Sequence, residues 1–286
     1  MGRADGTFAS VLSVHGLKPV ATICLGPMAL KKIRIHKFTI PPKPNSPQQS
    51  LNLTMEKYVN LKIADGTDME AYTAIPEGAV GHNSPGLILI QEAYGVNHHI
   101  RDVADRFAAQ GYVVIAPEIF HRTAPPYFEG TYGDFASVTP HYNAMTVENM
   151  EADLKASYHW LRHHDLVKPE NIFSVGYCLG GRVSFVANAV LPLKAAASYY
   201  GGNIKQVAHM ASTVSGPHLF FWGGLDKHIG QDQIDAVTQA MDAAGKDYTN
   251  VKISYADHAF FCDERPSYNE KASKEAWALT LAFFGH

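Results

Sequence analysis

Cys178 stands between two glycines in Gly176-Tyr177-Cys178-Leu179-Gly180, a G-x-C-x-G pattern that Gly181 extends. Asp226 follows 48 residues later in "WGGLDKHIG", and His258 another 32 residues on in "YADHAFF". A thiol, a carboxylate and an imidazole in that order suit nucleophilic acyl transfer. The imidazole takes the thiol proton and later hands it to a leaving oxygen, while the carboxylate fixes the tautomer and stabilises the imidazolium. An unpaired cysteine is more often a small core residue, but a core residue needs no glycine on both sides. Asp226 could instead be a turn residue or helix cap. Asp232 is the better cap for the next helix, which leaves Asp226 free. Asp257 and Asp263 adjoin the histidine too closely in sequence to reach its far nitrogen easily. Of the other histidines, His159, His163 and His164 read as surface positions. His98-His99 lacks metal-ligand spacing and no H-E-x-x-H occurs, so no metal site is expected.

The elements around these residues are those the chemistry needs. "NIFSVGYC" reads as a strand and Gly181–Val190 as a helix, so the chain must turn sharply at Cys178. Such a strand-to-helix elbow strains its central residue and leaves no room for side chains on either flank. It projects the middle side chain at the carboxyl end of the sheet, where open α/β sheets bind ligands. The positive end of the next helix favours a thiolate there, and its first amide, Leu179 N–H, can receive an oxyanion. Asp226 and His258 each come just past a predicted strand, His218–Trp222 and Val251–Tyr255, and emerge at the same sheet edge.

The remaining strand signals are "GLILIQ" and "YVVIAPE", both apolar on two faces, and "AAASYYGG". Helix signals cover His99–Gly111, Thr146–His164, "QDQIDAVTQAMDAAGK" and "NEKASKEAWALTLAFF". "EKYVNLKIADGTDMEAYTAIPEG" reads as a hairpin turning at Ala64-Asp65-Gly66. Alternating strands and helices with two-sided apolar strands predict a mostly parallel sheet flanked by helices, in one domain over 55–286.

Residues 1–54 differ in composition. They carry seven basic residues (Arg3, Lys18, Lys31, Lys32, Arg34, Lys37 and Lys43) against one acid, Asp5, and include the Pro- and Gln-rich "TIPPKPNSPQQS". This reads as an N-terminal extension, disordered or peripheral, preferred over a transit peptide because Arg and Ser are not enriched. The chain of 286 residues is 46% hydrophobic with net charge −3, so it lacks the basic field that nucleic-acid binding needs. No apolar run reaches the roughly 18–20 residues that span a bilayer. Three scattered cysteines, Cys24, Cys178 and Cys262, fit a reducing, cytoplasmic setting rather than a disulfide framework.

"QEAYGVN", "GYCLGG", the aspartate of "GGLDKH" and "DHAFF" together resemble the dienelactone hydrolase family, over nearly all of residues 56–284. The resemblance implies an α/β-hydrolase fold, no cofactor, a small ester or lactone substrate, and a triad falling on Cys178, His258 and Asp226. It also implies that Glu92 gates the thiol, holding it at rest and being displaced when substrate binds. Glu92 follows the strand Gly86–Ile90, in the loop that supplies the second oxyanion amide, here Ala93 N–H. The family holds its founding substrate's carboxylate with arginines, one of them four residues past the catalytic histidine. Cys262 occupies that place here, and Arg265 lies three residues further on as its substitute.

Residues His121–Met145 show no clear period and hold Tyr127, Phe128, Tyr132, Phe135 and Tyr142. Long segments of this kind are commonly lids or binding walls. They predict an aromatic-lined pocket beside Cys178, with Arg122 at its entrance and Tyr142 in its wall; the alternative is a surface crossover with aromatics packed inward. The competing functional reading is a redox-responsive thiol protein in which Cys262 resolves an oxidised Cys178.

Overall fold

Leu87, Ile88, Leu89 and Ile90 are wholly buried, as a strand covered on both faces requires. The computed structural model describes residues 21–24 and 57–285. Its strands are β1 (Ala21–Cys24), β2 (Tyr58–Lys62), β3 (Asp68–Ala74), β4 (Ser84–Ile90), β5 (Val113–Pro117), β6 (Val167–Tyr177), β7 (Ala195–Tyr199), β8 (His218–Gly223) and β9 (Tyr248–Ile253). Its helices are α1 (His98–Ala108), α2 (Phe135–Asn143), α3 (Val147–Arg162), α4 (Leu179–Val190), α5 (Gln231–Ala243) and α6 (Glu270–Phe284).

The strands form one sheet in the order β1-β9-β8-β7-β6-β4-β5-β3-β2. From β5 through β9 the pairing is parallel, and β3, β2 and β1 add antiparallel edges. The mostly parallel sheet expected from the alternating pattern, and the α/β-hydrolase fold implied by the resemblance, are observed. After β4 the chain runs to β5 on one side and then to β6 on the other. This reversal of strand order opens a crevice at the carboxyl ends of β4 and β6, where Ile90 pairs with Gly176.

Side chains alternate across the sheet and so decide which helix covers which face. Phe173 of β6 stacks on Phe284 of α6 at 4.7 Å between centroids, while its neighbour Ser174 bonds Ser184 of α4 at 2.8 Å. Phe107 of α1 meets Trp277 of α6, so these two helices share a face. Polar caps set the helix starts: Asn97, Thr146 and Asn269 accept from the N–H groups of Ile100, Asn149 and Ala272. A buried chain of polar bonds then ties the sheet to the elbow helix. Asn188 donates to His218 Nδ1, His218 Nε2 meets Ser198 Oγ at 2.8 Å, and Ser198 donates to the Gly181 carbonyl at 2.6 Å.

Three sequence expectations need correction. Residues 135–143 form helix α2, capped by Asp134, rather than irregular chain. Its only buried side chain is Val138 and it contains Pro140, so no apolar period marks it. The elbow helix starts at Leu179, not Gly181, because the turn itself occupies only Cys178. Asp232 does not cap α5; that place belongs to Gly230, and Asp232 lies in the first turn, paired with Lys205 at 3.0 Å. Ala21–Cys24 of the N-terminal stretch pairs with β9 as the outermost strand, at the periphery of the sheet; the rest of 1–56, with the expectation for it, lies outside the described residues.

Candidate active site

Cys178 has φ 53 and ψ −114, the strained geometry of an elbow. A Cβ on Gly176 would lie 1.9 Å from the Gly180 carbonyl oxygen, and one on Gly180 would lie 2.4 Å from the Ile90 oxygen. Strand, turn and helix touch backbone to backbone there, and only glycine fits. The Cys178 N–H is held by the Tyr199 carbonyl at 3.0 Å, so the elbow is braced by β7 as well as by β4.

The three residues singled out by order along the chain converge. His258 Nε2 lies 3.2 Å from Cys178 Sγ, and His258 Nδ1 lies 2.7 Å from Asp226 Oδ2. Asp226 Oδ1 accepts from the N–H groups of His228 and Ile229 at 2.8 and 3.2 Å. The carboxylate is thus oriented before the imidazole arrives. Burial opposes its ionisation, but His258 and these amides hold its pKa below the usual carboxylate range. Burial likewise opposes charge on His258, and the Cys178 sulfur and Asp226 overcome it, raising the imidazole to about 10. Ala259, next in the chain, has φ 59, a second strained position beside the site.

Glu92 is wholly buried just past β4, and neither carboxylate oxygen has a hydrogen-bond partner within the protein. Its nearest ion is Arg265, whose Nη1 lies 3.9 Å from Oε1. That guanidinium sits over the rings of Tyr132 and Tyr94, at 5.5 and 5.9 Å from their centroids. Arg265, expected from its spacing after His258, therefore stands at the site. Cys262, in the place where the family has arginine, is buried and its thiol meets the Tyr132 hydroxyl at 3.3 Å. Asn97 donates to the same hydroxyl at 2.8 Å. Ala93 follows Glu92 past the end of β4, and Leu179 is the first residue of α4, past the end of β6. The Leu179 N–H has no acceptor within its own helix.

Arg122 lines a small cavity with Phe120, His141 and Met145, and none of Cys178, Asp226 and His258 lines it. Both ends of its guanidinium fork bond Asp153, at 2.8 and 2.9 Å, and its Nε bonds Asp65 in the β2–β3 turn. A bidentate ion pair with a buried acid is a structural commitment. Tyr142 lies beside the elbow helix, its ring 5.0 Å from the Arg182 guanidinium and its hydroxyl accepting from Asn203 at 2.9 Å. One residue escaped the sequence reading. Tyr200, buried at φ 38, packs its ring 5.2 Å from that of His258. Its position directly after β7, like those of Glu92 after β4 and Cys178 after β6, was the available signal. Tyr132, in the aromatic segment expected to line the pocket, lies under the Arg265 guanidinium. Among the described residues no group of three His, Cys, Asp or Glu side chains could hold a metal, and no helix is long and apolar enough to cross a membrane.

Comparison with known proteins gives the family. The sequence profile of the dienelactone hydrolase family matches residues 69–286. A carboxymethylenebutenolidase-like protein of Synechocystis sp. is 34% identical over 234 residues, covering 79% of this chain and 92% of its own. One from Escherichia coli (strain K12) is 32% identical over 234 residues, covering 77% of this chain and 83% of its own. The crystal structure of a dienelactone hydrolase-like protein from Klebsiella pneumoniae superposes with a TM-score of 0.73 at 32% identity, over 80% of this chain and 98% of that one. On fold, elbow and likeness together, this chain belongs to the dienelactone hydrolase family, the α/β-hydrolases that cleave carboxylic ester and lactone bonds.

Proposed function

We propose that the protein hydrolyses a small ester or lactone through Cys178, without a cofactor. The observation that carries this reading is the linear relay from Sγ through His258 to Asp226, at 3.2 and 2.7 Å. His258 Nε2 takes the thiol proton as the sulfur attacks the carbonyl carbon. The oxyanion forms between the N–H groups of Leu179 and Ala93. Collapse breaks the acyl–oxygen bond, and His258 returns its proton to the leaving alkoxide. A water molecule, deprotonated by the same imidazole, then splits the thioester and restores the thiol, releasing the acid.

Glu92 acts as the gate on the thiol. With the sulfur engaged by His258, its carboxylate lies against Arg265, which supports an exchange between two partners. Arg265 is also the cation best placed to receive a substrate carboxylate, the role the missing arginine has in relatives. The scarcity of cysteine supports a cytoplasmic location.

The test is Cys178→Ala assayed on p-nitrophenyl acetate and on charged and neutral lactones. Loss of turnover on every substrate, with the fold retained, is expected. Hydrolysis at the parental rate refutes the reading.

A further inference from the structure

Gln91, the residue before Glu92, is wholly buried and donates from Nε2 to the Glu92 carbonyl at 3.2 Å. A carbonyl only accepts, so the amide's nitrogen must face it and Oε1 must face the other way. The Glu92 carbonyl and the Ala93 N–H belong to one planar trans peptide. Fixing the carbonyl therefore fixes the direction of the N–H offered to the oxyanion.

Gln91 Oε1 itself has no partner within the protein, and it belongs to a residue lining a narrow cavity that admits about one water molecule. Two more buried atoms without a protein partner come from lining residues of the same cavity, Glu118 Oε1 and His121 Nδ1. The far side of each is spoken for. Glu118 Oε2 accepts from Tyr127 N–H at 2.8 Å, and His121 Nε2 meets Asp153 at 3.1 Å. The rest of the lining is apolar, with Phe120, Pro125 and Phe128 among it. The loop carrying Gln91 is docked on the opposite wall, since Gly130 N–H donates to the Tyr94 carbonyl and a Cβ on Gly95 would strike the Phe128 oxygen.

We propose that Gln91 is a positioning residue for the oxyanion amide, itself held by a buried water shared with Glu118 and His121. This deepens the thiol-hydrolase reading and rests on it. Donor counting supports the arrangement. In the neutral imidazole of His121, with Nε2–H on Asp153, Nδ1 accepts. With a proton on Glu118 Oε1, the water accepts from Glu118 and donates to Gln91 Oε1 and His121 Nδ1, and every group is satisfied. Burial raises the Glu118 carboxyl to about 7, against the pull of the Tyr127 amide, which is consistent with that proton.

The experiment combines a high-resolution crystal structure of the full chain with kinetics of Gln91→Met, Glu118→Leu and Glu118→Gln on p-nitrophenyl acetate. Expected are an ordered water within hydrogen-bond reach of Gln91 Oε1 and Glu118 Oε1, and a kcat about 10- to 100-fold lower in Gln91→Met and Glu118→Leu, with KM changed little. Alkylation of Cys178 by iodoacetamide should keep its parental rate in these variants, because the thiol–imidazole pair is untouched. Glu118→Gln, which can still bond the water, should lose less than Glu118→Leu. A direct Gln91–Glu118 contact with no water, or a Gln91→Met enzyme with parental kcat, overturns the proposal. Persisting turnover in Cys178→Ala would instead overturn the mechanism beneath it, so the two failures are distinct.

Discussion

Exchanging Asp226 for asparagine reverses the polarity of the relay while keeping its shape. The amide oxygen would stay on the N–H groups of His228 and Ile229, which need an acceptor. The amide nitrogen must then face His258 Nδ1, forcing that atom to accept and putting the ring proton on Nε2, toward the sulfur. The imidazole can no longer take the thiol proton. The energetic loss can be sized from the imidazole itself, which titrates at about 10 rather than 6.5. That difference is worth about 5 kcal/mol, supplied by Cys178 and Asp226 together against the cost of burial. Losing the Asp226 share lowers the basicity of the ring, and the wrong tautomer costs up to about 10⁴-fold in kcat. The assay is kcat/KM on p-nitrophenyl acetate from pH 6 to 9, with iodoacetamide alkylation of Cys178 alongside. Both rates should fall at pH 7 and climb with pH as hydroxide replaces the imidazole as base. A folded Asp226→Asn protein within threefold of the parent at pH 7 would refute the relay.

Gly176→Ala should cost at least about 2 kcal/mol of stability and most of the activity, because the new Cβ meets backbone at 1.9 Å; Gly202→Ala, with nothing within 4 Å, is the control for thermal melting. Glu118 has a folded-state pKa of about 7 against an ordinary value of 4.5. Between those values the folded state keeps a proton the unfolded state has lost, so stability falls as pH rises through this window, by about 3 kcal/mol in all. Glu118→Gln lacks this loss and should gain about 2–3 kcal/mol on the parent between pH 5 and pH 8 in urea melts; an equal difference at both pH values argues against a raised pKa. Arg265→Met should lower kcat/KM for an anionic lactone at least about tenfold more than for a neutral ester, and an unchanged ratio removes Arg265 from substrate recognition.

Much of the machinery was legible in the sequence because its constraints are local or ordered along the chain. An elbow needs glycine within two residues of its centre, and a parallel sheet brings the residues just past each strand to one edge. Cys178, Asp226 and His258 could therefore be named from position, and Glu92 from the family resemblance, with its place after a strand in agreement. Alternation likewise sufficed for a mostly parallel sheet flanked by helices. Tertiary structure alone decided matters of partnership. Arg122 and Arg265 look equally available in sequence, yet a buried acid two elements away claims the first and an aromatic pair turns the second toward Glu92. Helix α2 is invisible to periodicity because a surface helix with one buried side chain has no apolar face to repeat. The bond from Gln91 to the Glu92 carbonyl, and the cavity behind it, exist only once two distant loops are docked. Hydrogen-bond satisfaction belongs to a packed interior, and chain order does not carry it.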